Sequence, residues 1–446
     1  MNLYSKLQER LEQGAPVRVG VIGAGKFASM FLTQAAGQDI FHVVAVADLD
    51  VSRARDALQR TGWSEHSYSA DSLQEALSSG RTYVTDDSSV LIDSEVVEVV
   101  LEVTGNPLVG AAHALKCFEA GVHLVMVNVE ADCMLGPLLT QKAKEAGVVY
   151  SMAYGDQPAL ICEMVDWART TGFEVVAAGK GTRYLPEYHA STPDTVWDYY
   201  GLTAEQAANG GMNAKMFNSF LDGTKSAIEM AAVCNGTGLT PPTGGLVFPP
   251  VGVDELPERL IPASAGGVLR NSGTVEVVSS LHRDGSAVER DLRWGVYITF
   301  RAKTRYGVDC FSEYGVRTDS SGEYASLYRP YHMIGMELGV SIASAVLRGE
   351  PTGQSKDFLG DVVSVAKRDL TAGEVLDGEG GYTVYGRLEP ASVSLAHHAL
   401  PIGLAHGARL RNPIKAGSVV TWKDVEVDQS EPAVQLRQQM EGMFRV

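Results

Sequence analysis

Residues 17–28 read VRVGVIGAGKFA. The first six are mostly β-branched and apolar, the pattern of a strand buried on both faces. The next six, Gly23-Ala24-Gly25-Lys26-Phe27-Ala28, fit G-x-G-x-x-G/A where a strand hands over to a helix. Each small residue has a task there. Gly23 permits the tight turn, Gly25 lets a pyrophosphate approach backbone N–H groups, and Ala28 lets the helix pack closely on the strand. Lys26 and Phe27 complete this cofactor-binding set. The hexapeptide alone is a weak signal, and an ordinary strand-to-helix turn is its competitor. Asp48 strengthens it by ending the second predicted strand, near the spacing at which an acid bonds the adenosine ribose. Its carboxylate favours NAD by repelling a 2′-phosphate. Arg53 and Arg55 follow closely, and either guanidinium could grip that phosphate, so NAD and NADP both stay open.

Outward from this turn, short β-branched runs at 17–22, 43–47, 96–103, 122–127 and 148–150 alternate with helical spacing at 27–36, 108–120 and 135–146. That alternation predicts an α/β fold, a doubly wound parallel sheet of Rossmann type. Thr104-Gly105-Asn106-Pro107 follows the run 96–103 and Asn128-Val129-Glu130 the run 122–127, where such sheets bind ligands. Thr104, Gly105 and Asn128 therefore join the predicted cofactor-binding residues. A plain loop with Pro107 opening a helix explains the first of these segments equally well.

Beyond residue 160 the texture changes. A strand at 175–178, one amphipathic helix over 213–234, β-like runs at 274–280 and 294–302, and a long helix over 331–347 suggest an α+β catalytic and dimerisation domain with an antiparallel sheet. The expected divisions are 1–160, 161–355 and 356–446, with the last long helix able to pack back on the first domain. The final segment is turn-rich and reads as a small β domain.

Composition narrows the function. The chain has 446 residues, 45% hydrophobic and 20% charged, which describes a globular protein. Its 37 Lys and Arg against 54 Asp and Glu leave a net charge of -17, unfavourable to nucleic acid and anionic lipid. Five scattered cysteines form no C-x-x-C pair, which points to a reducing compartment. With no apolar run of membrane-spanning length and a polar, amphipathic N-terminus, the expectation is a cytoplasmic protein without membrane or nucleic-acid partners.

In so acidic a chain, clustered basic residues mark where an anionic substrate would be met. The segment AAGKGTRYLPEYH supplies Lys180, Arg183, Tyr184, Glu187 and His189 after a predicted strand, with Gly179 and Gly181 leaving room for a ligand beside Lys180. On the predicted helix 213–234, Lys215, Asn218, Asp222, Lys225 and Glu229 recur at helical spacing and would share a face. Surface salt bridges would give the same spacing. Lys180, Lys215, Asp222 and Lys225 are the catalytic candidates, because hydride chemistry needs one group to move a proton and others to hold an oxyanion. Arg183, Tyr184 and Asn218 are substrate-binding candidates. So are Tyr328, Arg329 and His332, which would gather at the N-terminus of the long helix as a phosphate site.

The stretches VRVGVIGAGKFASMF, MVNVEADCMLGPLLTQKAKEAGVVYSMAYGDQPALICEMVDWART, MNAKMFNSFLDGTKSAIEMA, AKRDLTAGEVL and LPIGLAHGARLRNPIKAG resemble those of the homoserine dehydrogenase-related oxidoreductases that carry a C-terminal SAF domain. They also closely resemble those of the 1-deoxy-D-xylulose 5-phosphate reductoisomerase-like enzymes. This resemblance implies a homodimer that uses NADPH, and a divalent metal such as Mg or Mn. Its substrate would be phosphorylated, and the product 2-C-methyl-D-erythritol 4-phosphate, for isoprenoid synthesis. Fosmidomycin-type phosphonates would inhibit it. Two departures bear on this. The Ala-Asn-Lys of homoserine dehydrogenases stands here as Asn-Val-Glu, ending in Glu130, and the Ser-Glu-Gly-Ser loop of ordinary reductoisomerases is missing, so no metal ligands carry over. The rival expectations are a dehydrogenase acting on another small hydroxy acid or sugar derivative, and a dinucleotide-sensing protein without turnover.

Overall fold

The computed structural model describes residues 2–209 and 212–445. The chain forms two compact units. One comprises the chain through Leu160 together with Met333–Lys356, and the other Ile161–His332 with the chain from Asp357 onward.

The first unit is built on β1 (Val17–Ile22), β2 (Phe41–Ala47), β3 (Tyr83–Thr85), β4 (Val99–Glu102), β5 (His123–Met126) and β6 (Tyr150–Met152). All pair in parallel in the order β3-β2-β1-β4-β5-β6, the Rossmann arrangement expected. Helices cover the faces, so Val19, Val21, Val99 and Leu101 are fully buried on adjacent strands. The helix Lys26–Ala35 turns Ala28, Phe31 and Leu32 into that core. Strand β3 has no counterpart in the predicted set, since three residues at a sheet edge are too few to show a period. The helix Gly339–Arg348 belongs to this unit, where Leu338, Ile342 and Ala343 join the same core. Of the long helix expected over 331–347, only this C-terminal part forms.

The second unit contains β7 (Glu174–Thr182), β8 (Thr274–Ser279), β9 (Val296–Arg301) and β10 (Tyr324–Arg329) in the order β10-β9-β7-β8. The sheet is mixed where an antiparallel one was expected, because β7 and β8 run parallel. The helix predicted over 213–234 is two helices, Ala214–Leu221 and Thr224–Thr237. Gly223 breaks it at φ +89°, and the Asp222 carboxylate accepts the Thr224 N–H at 2.9 Å. Lys215 and Asn218 therefore do not share a helix face with Lys225 and Glu229.

Toward the C-terminus, β11 (Gly360–Ala366) pairs antiparallel with β12 (Val384–Pro390), and short β13 (Arg409–Leu410) with β14 (Val425–Glu426). The closing helix Pro432–Phe444 carries Arg437, fully buried. Its guanidinium reaches Asp361 at 2.6 Å and Glu441 at 3.0 Å and lies over the Phe358 ring. The cysteines of the described residues are all free, and no helix among those residues is long and apolar enough to cross a membrane.

Candidate functional site

In the first unit the glycine turn has the geometry its sequence requires. Gly23 sits at φ +102°, and a Cβ there would lie 2.9 Å from the backbone of Val103. Only glycine fits. Gly25 is the extended N-cap of helix Lys26–Ala35 and has no side chain to occupy the first helical N–H groups, which leaves them for an anion. A cavity of about 410 Å³ opens there, lined by Gly23, Gly25, Asp48, Arg53, Thr104 and His113 among others. Lys26 is exposed and Phe27 half-buried beside it. Gly105 stands exposed at φ +70° in the loop after β4. Asn128 does not line the cavity: it is buried and caps helix Val129–Ala146 through the Ala131 N–H.

Asp48 is held rather than free. One oxygen accepts the Ala24 N–H at 2.8 Å, and the other accepts the Asp50 N–H at 2.9 Å and the Arg53 guanidinium at 2.5 Å. With three of about four lone-pair sites used, it can still take one ribose hydroxyl but not clasp the diol. Arg53 is 58% exposed, so its guanidinium both neutralises Asp48 and faces solvent at the cavity.

Behind the cavity lies a polar network that the motif reading did not single out. Glu102, at the end of β4, is fully buried, accepts the Thr104 hydroxyl, and faces Nδ1 of His113 at 3.3 Å. The other ring nitrogen of His113 meets the Ser88 hydroxyl at 3.2 Å. A carboxylate inside the apolar run 96–103 was the available signal for this network. Nothing local linked Ser88 or His113 to it.

In the second unit, Lys180 lies inside β7 rather than after a strand, and it is buried in an ion pair with Glu229. Its flanking glycines do not make room for a ligand. A Cβ at Gly179 would strike the Glu276 carbonyl at 1.8 Å, and one at Gly181 the Leu292 carbonyl at 1.9 Å, so they serve strand packing. Lys215 donates to the Asp377 carbonyl at 2.5 Å. Asn218 is buried and spent on Ser191 and Gly380. Asp222, also buried, is 2.7 Å from the ammonium of Lys367. Burial pushes its carboxyl up against the pull of that ammonium. Lys225 is half-buried, one turn before Glu229, so Lys180 and Lys225 come to the same helix while Lys215 lies on the preceding one.

Tyr184 and His189 form the most directed contact in this unit. The His189 Nδ1 is 2.7 Å from the Asp222 carbonyl, which can only accept, so the proton sits on Nδ1. In the neutral ring Nε2 then accepts the Tyr184 hydroxyl at 2.9 Å. Burial holds the imidazole below its ordinary range and pushes the phenol up to about 12, which keeps both partners neutral. The Tyr184 ring stacks on Phe248 at 4.0 Å, with the Arg283 guanidinium over it. Phe248 has φ +53°, a strained value, and its loop is tied by N–H bonds of Val247 and Phe248 to the buried Glu276 carboxylate. Nearby in sequence, the Arg183 Nε is buried without a hydrogen-bond partner.

The expected phosphate site is not assembled. Tyr328 and Arg329 are residues of β10, paired with Tyr297 and Val296, and no helix begins at His332, whose Nδ1 is 2.8 Å from the Trp294 carbonyl. Without a helix N-terminus the argument for an anion there fails. Nor do the residues fit a divalent metal, since no group of three or more His, Cys, Asp or Glu among the described residues could hold one.

Three family models match the chain. They are the oxidoreductase family with NAD-binding Rossmann fold over residues 17–128, the catalytic domain of oxidoreductase DRL over 155–338, and the SAF domain over 346–426. Its matched modules are those of NAD-binding oxidoreductases. The matches establish its modules, not a reductoisomerase, isoprenoid synthesis or phosphonate inhibition. No curated protein matches it. Among solved structures, it is 15% identical to a probable dehydrogenase from Thermotoga maritima, covering 75% of this chain and 90% of that one with a TM-score of 0.35. Against a putative myo-inositol dehydrogenase from Sinorhizobium meliloti the values are 12%, 75%, 90% and 0.34. Against a 3-ketoreductase from Actinomadura kijaniata in complex with NADP they are 18%, 38%, 49% and 0.25, so the chain spans about half that enzyme's length.

Proposed function

We propose that this oxidoreductase interconverts a hydroxyl and a carbonyl on a small sugar or hydroxy-acid derivative, prefers NADP(H), and moves the proton through Tyr184 and His189. The observation that carries the reading is the tautomer-locked contact between these two side chains. A dinucleotide in the first unit, when bound, supplies the hydride acceptor or donor. In the oxidative direction the Tyr184 oxygen takes the proton of the substrate hydroxyl while its own proton passes to His189 Nε2. The imidazolium so formed keeps its Nδ1–H on the Asp222 carbonyl. Because a phenol raised to about 12 is a far weaker acid than imidazolium, its proton leaves only as the substrate delivers another. Arg183, with a buried donor to spare, is assigned to a substrate oxygen. Lys180 on β7, paired with Glu229, and Lys225 on helix Thr224–Thr237 remain candidates for holding an oxyanion. The test is NADP⁺ reduction across a panel of sugars and hydroxy acids, with Tyr184→Phe as control. Turnover that survives this change undiminished would refute the proton route.

A narrower reading keeps 1-deoxy-D-xylulose 5-phosphate as substrate and a homodimer as the working form. Its support is the resemblance of the quoted central stretches, much of which fall in the DRL catalytic match. NADPH oxidation on that phosphate, with product of rearranged carbon skeleton, distinguishes it from simple reduction. Unchanged NADPH removes it and leaves the broader reading in place.

A further inference from the structure

The SAF match covers residues 346–426, and part of it reaches the cluster around His189. The ribbon β11–β12 is seated on helix Thr224–Thr237. The Gly386 N–H donates to the Thr224 hydroxyl at 2.8 Å, and Asn235 accepts the N–H groups of Leu359 and Gly360. Two side chains do more than dock. Lys367 buries its ammonium 2.7 Å from each of the Asp222 carboxylate, the Ser191 carbonyl and the Gly381 carbonyl. Two of these contacts are hydrogen bonds and the third an ion pair, and two of the three fix chain that holds His189: Ser191 lies two residues on, and the Asp222 carbonyl is the ring's own acceptor. Tyr385 lays its ring over the imidazole at 4.6 Å and 23°.

Two in-plane hydrogen bonds fix a line through the imidazole but leave the ring free to tilt about it. A face-on neighbour removes that freedom. An ammonium buried in an ion pair is likewise expensive to keep for packing alone, since apolar residues of similar volume commonly do as well. We propose that the SAF module forms one wall of the substrate site, with Tyr385 and Lys367 as positioning residues that hold His189 in the plane and tautomer needed for proton transfer. The inference rests on the reading of His189 as proton acceptor.

The groups facing His189 are the Tyr184 hydroxyl, the Asp222 carbonyl and carboxylate, Lys367, Arg387 and the Tyr385 ring. Burial is the largest influence on the imidazole, so opening one face to water is what the experiment reads. Lys367→Met would strand a buried carboxylate, and the test therefore uses Tyr385→Leu and Tyr385→Phe in the full chain. Histidine ring resonances are followed against pH by NMR, with His189→Gln identifying the signal. In Tyr385→Leu the His189 midpoint should rise toward the ordinary value by roughly half a pH unit or more, and in Tyr385→Phe it should stay with the wild type. The rate–pH profile of Tyr385→Leu should move with it. A folded Tyr385→Leu protein whose His189 titrates as before overturns the proposal. A shifted midpoint with an unmoved rate profile leaves the wall standing and instead refutes the role of His189 in proton transfer.

Discussion

Replacing Arg53 by alanine should separate the two coenzymes. Its guanidinium is 58% exposed and 2.5 Å from Asp48, at the cavity that the glycine turn opens. A charge-assisted bond to a 2′-phosphate is worth about 1.5–3 kcal/mol when well formed. Exposure lowers that to roughly 1–2 kcal/mol. The substitution also leaves the Asp48 carboxylate without its counter-ion, and repulsion of the phosphate adds about another 1 kcal/mol at surface dielectric. The sum, about 2–3 kcal/mol, corresponds to a loss of roughly 30- to 150-fold in NADPH affinity. NADH lacks the phosphate and should lose less than about 3-fold, because the remaining Asp48 bonds are to backbone N–H groups that do not change. Coenzyme fluorescence titrations at low ionic strength measure both constants, and added salt should shrink the gap between them. Equal losses for NADH and NADPH would show that Arg53 serves only to neutralise Asp48 and that the phosphate is met elsewhere.

Four further outcomes follow from the structure. Tyr184→Phe and His189→Gln should each lower kcat by about 10²–10⁴-fold with coenzyme affinity unchanged. Because burial depresses the His189 pKa, the oxidative rate should hold through neutral pH and fall only below the ordinary histidine range, an acid limb that His189→Gln abolishes in its residual activity. Asp132, buried between the Tyr150 and Ser355 hydroxyls, has its carboxyl pushed up from 3.8 to about 6. A raised carboxyl is protonated in the fold while ionised in the unfolded chain, so its stabilisation is complete below pH 3.8 and is lost as pH rises to about 6. Asp132→Asn should therefore gain about 3 kcal/mol on the wild type between pH 3 and pH 7 in urea unfolding, an order-of-magnitude figure. Finally, Arg437→Met strands Asp361 and Glu441 in the interior and should cost about 3–5 kcal/mol, while neutralising all three together should recover most of it. A triple variant no more stable than the single one would refute that account.

The Rossmann unit was legible because its signals are local. A doubly buried strand is largely apolar, and Gly23 takes φ +102° at the turn between strand and helix, so residue type and conformation are tied within a few residues. The helix over 213–234 was misread for the complementary reason. Apolar residues at 216–221 and again at 227–232 read as one helix across the Asp222-Gly223 dipeptide, and Gly223, at φ +89°, breaks it. At 328–332 the pairing of β10 with β9 decides the structure, and long-range pairing leaves little mark in a short polar-aromatic run.

The charged residues show where local reading stops. Spacing of three and four offered Asp222 to Lys225 and Lys225 to Glu229 as salt bridges on one helix face. In the fold Glu229 is paired with Lys180 from β7 and Asp222 with Lys367 from the SAF match, both far away along the chain. An exposed helical pair gains a few tenths of a kcal/mol and tolerates many alternatives, whereas a buried carboxylate left alone is costly and has to find a cation wherever the chain can supply one. Burial therefore sets how far along the chain a charge must look for its partner, and Asp222, Glu229 and Lys180 could not be assigned from sequence until the elements that bury them had been placed.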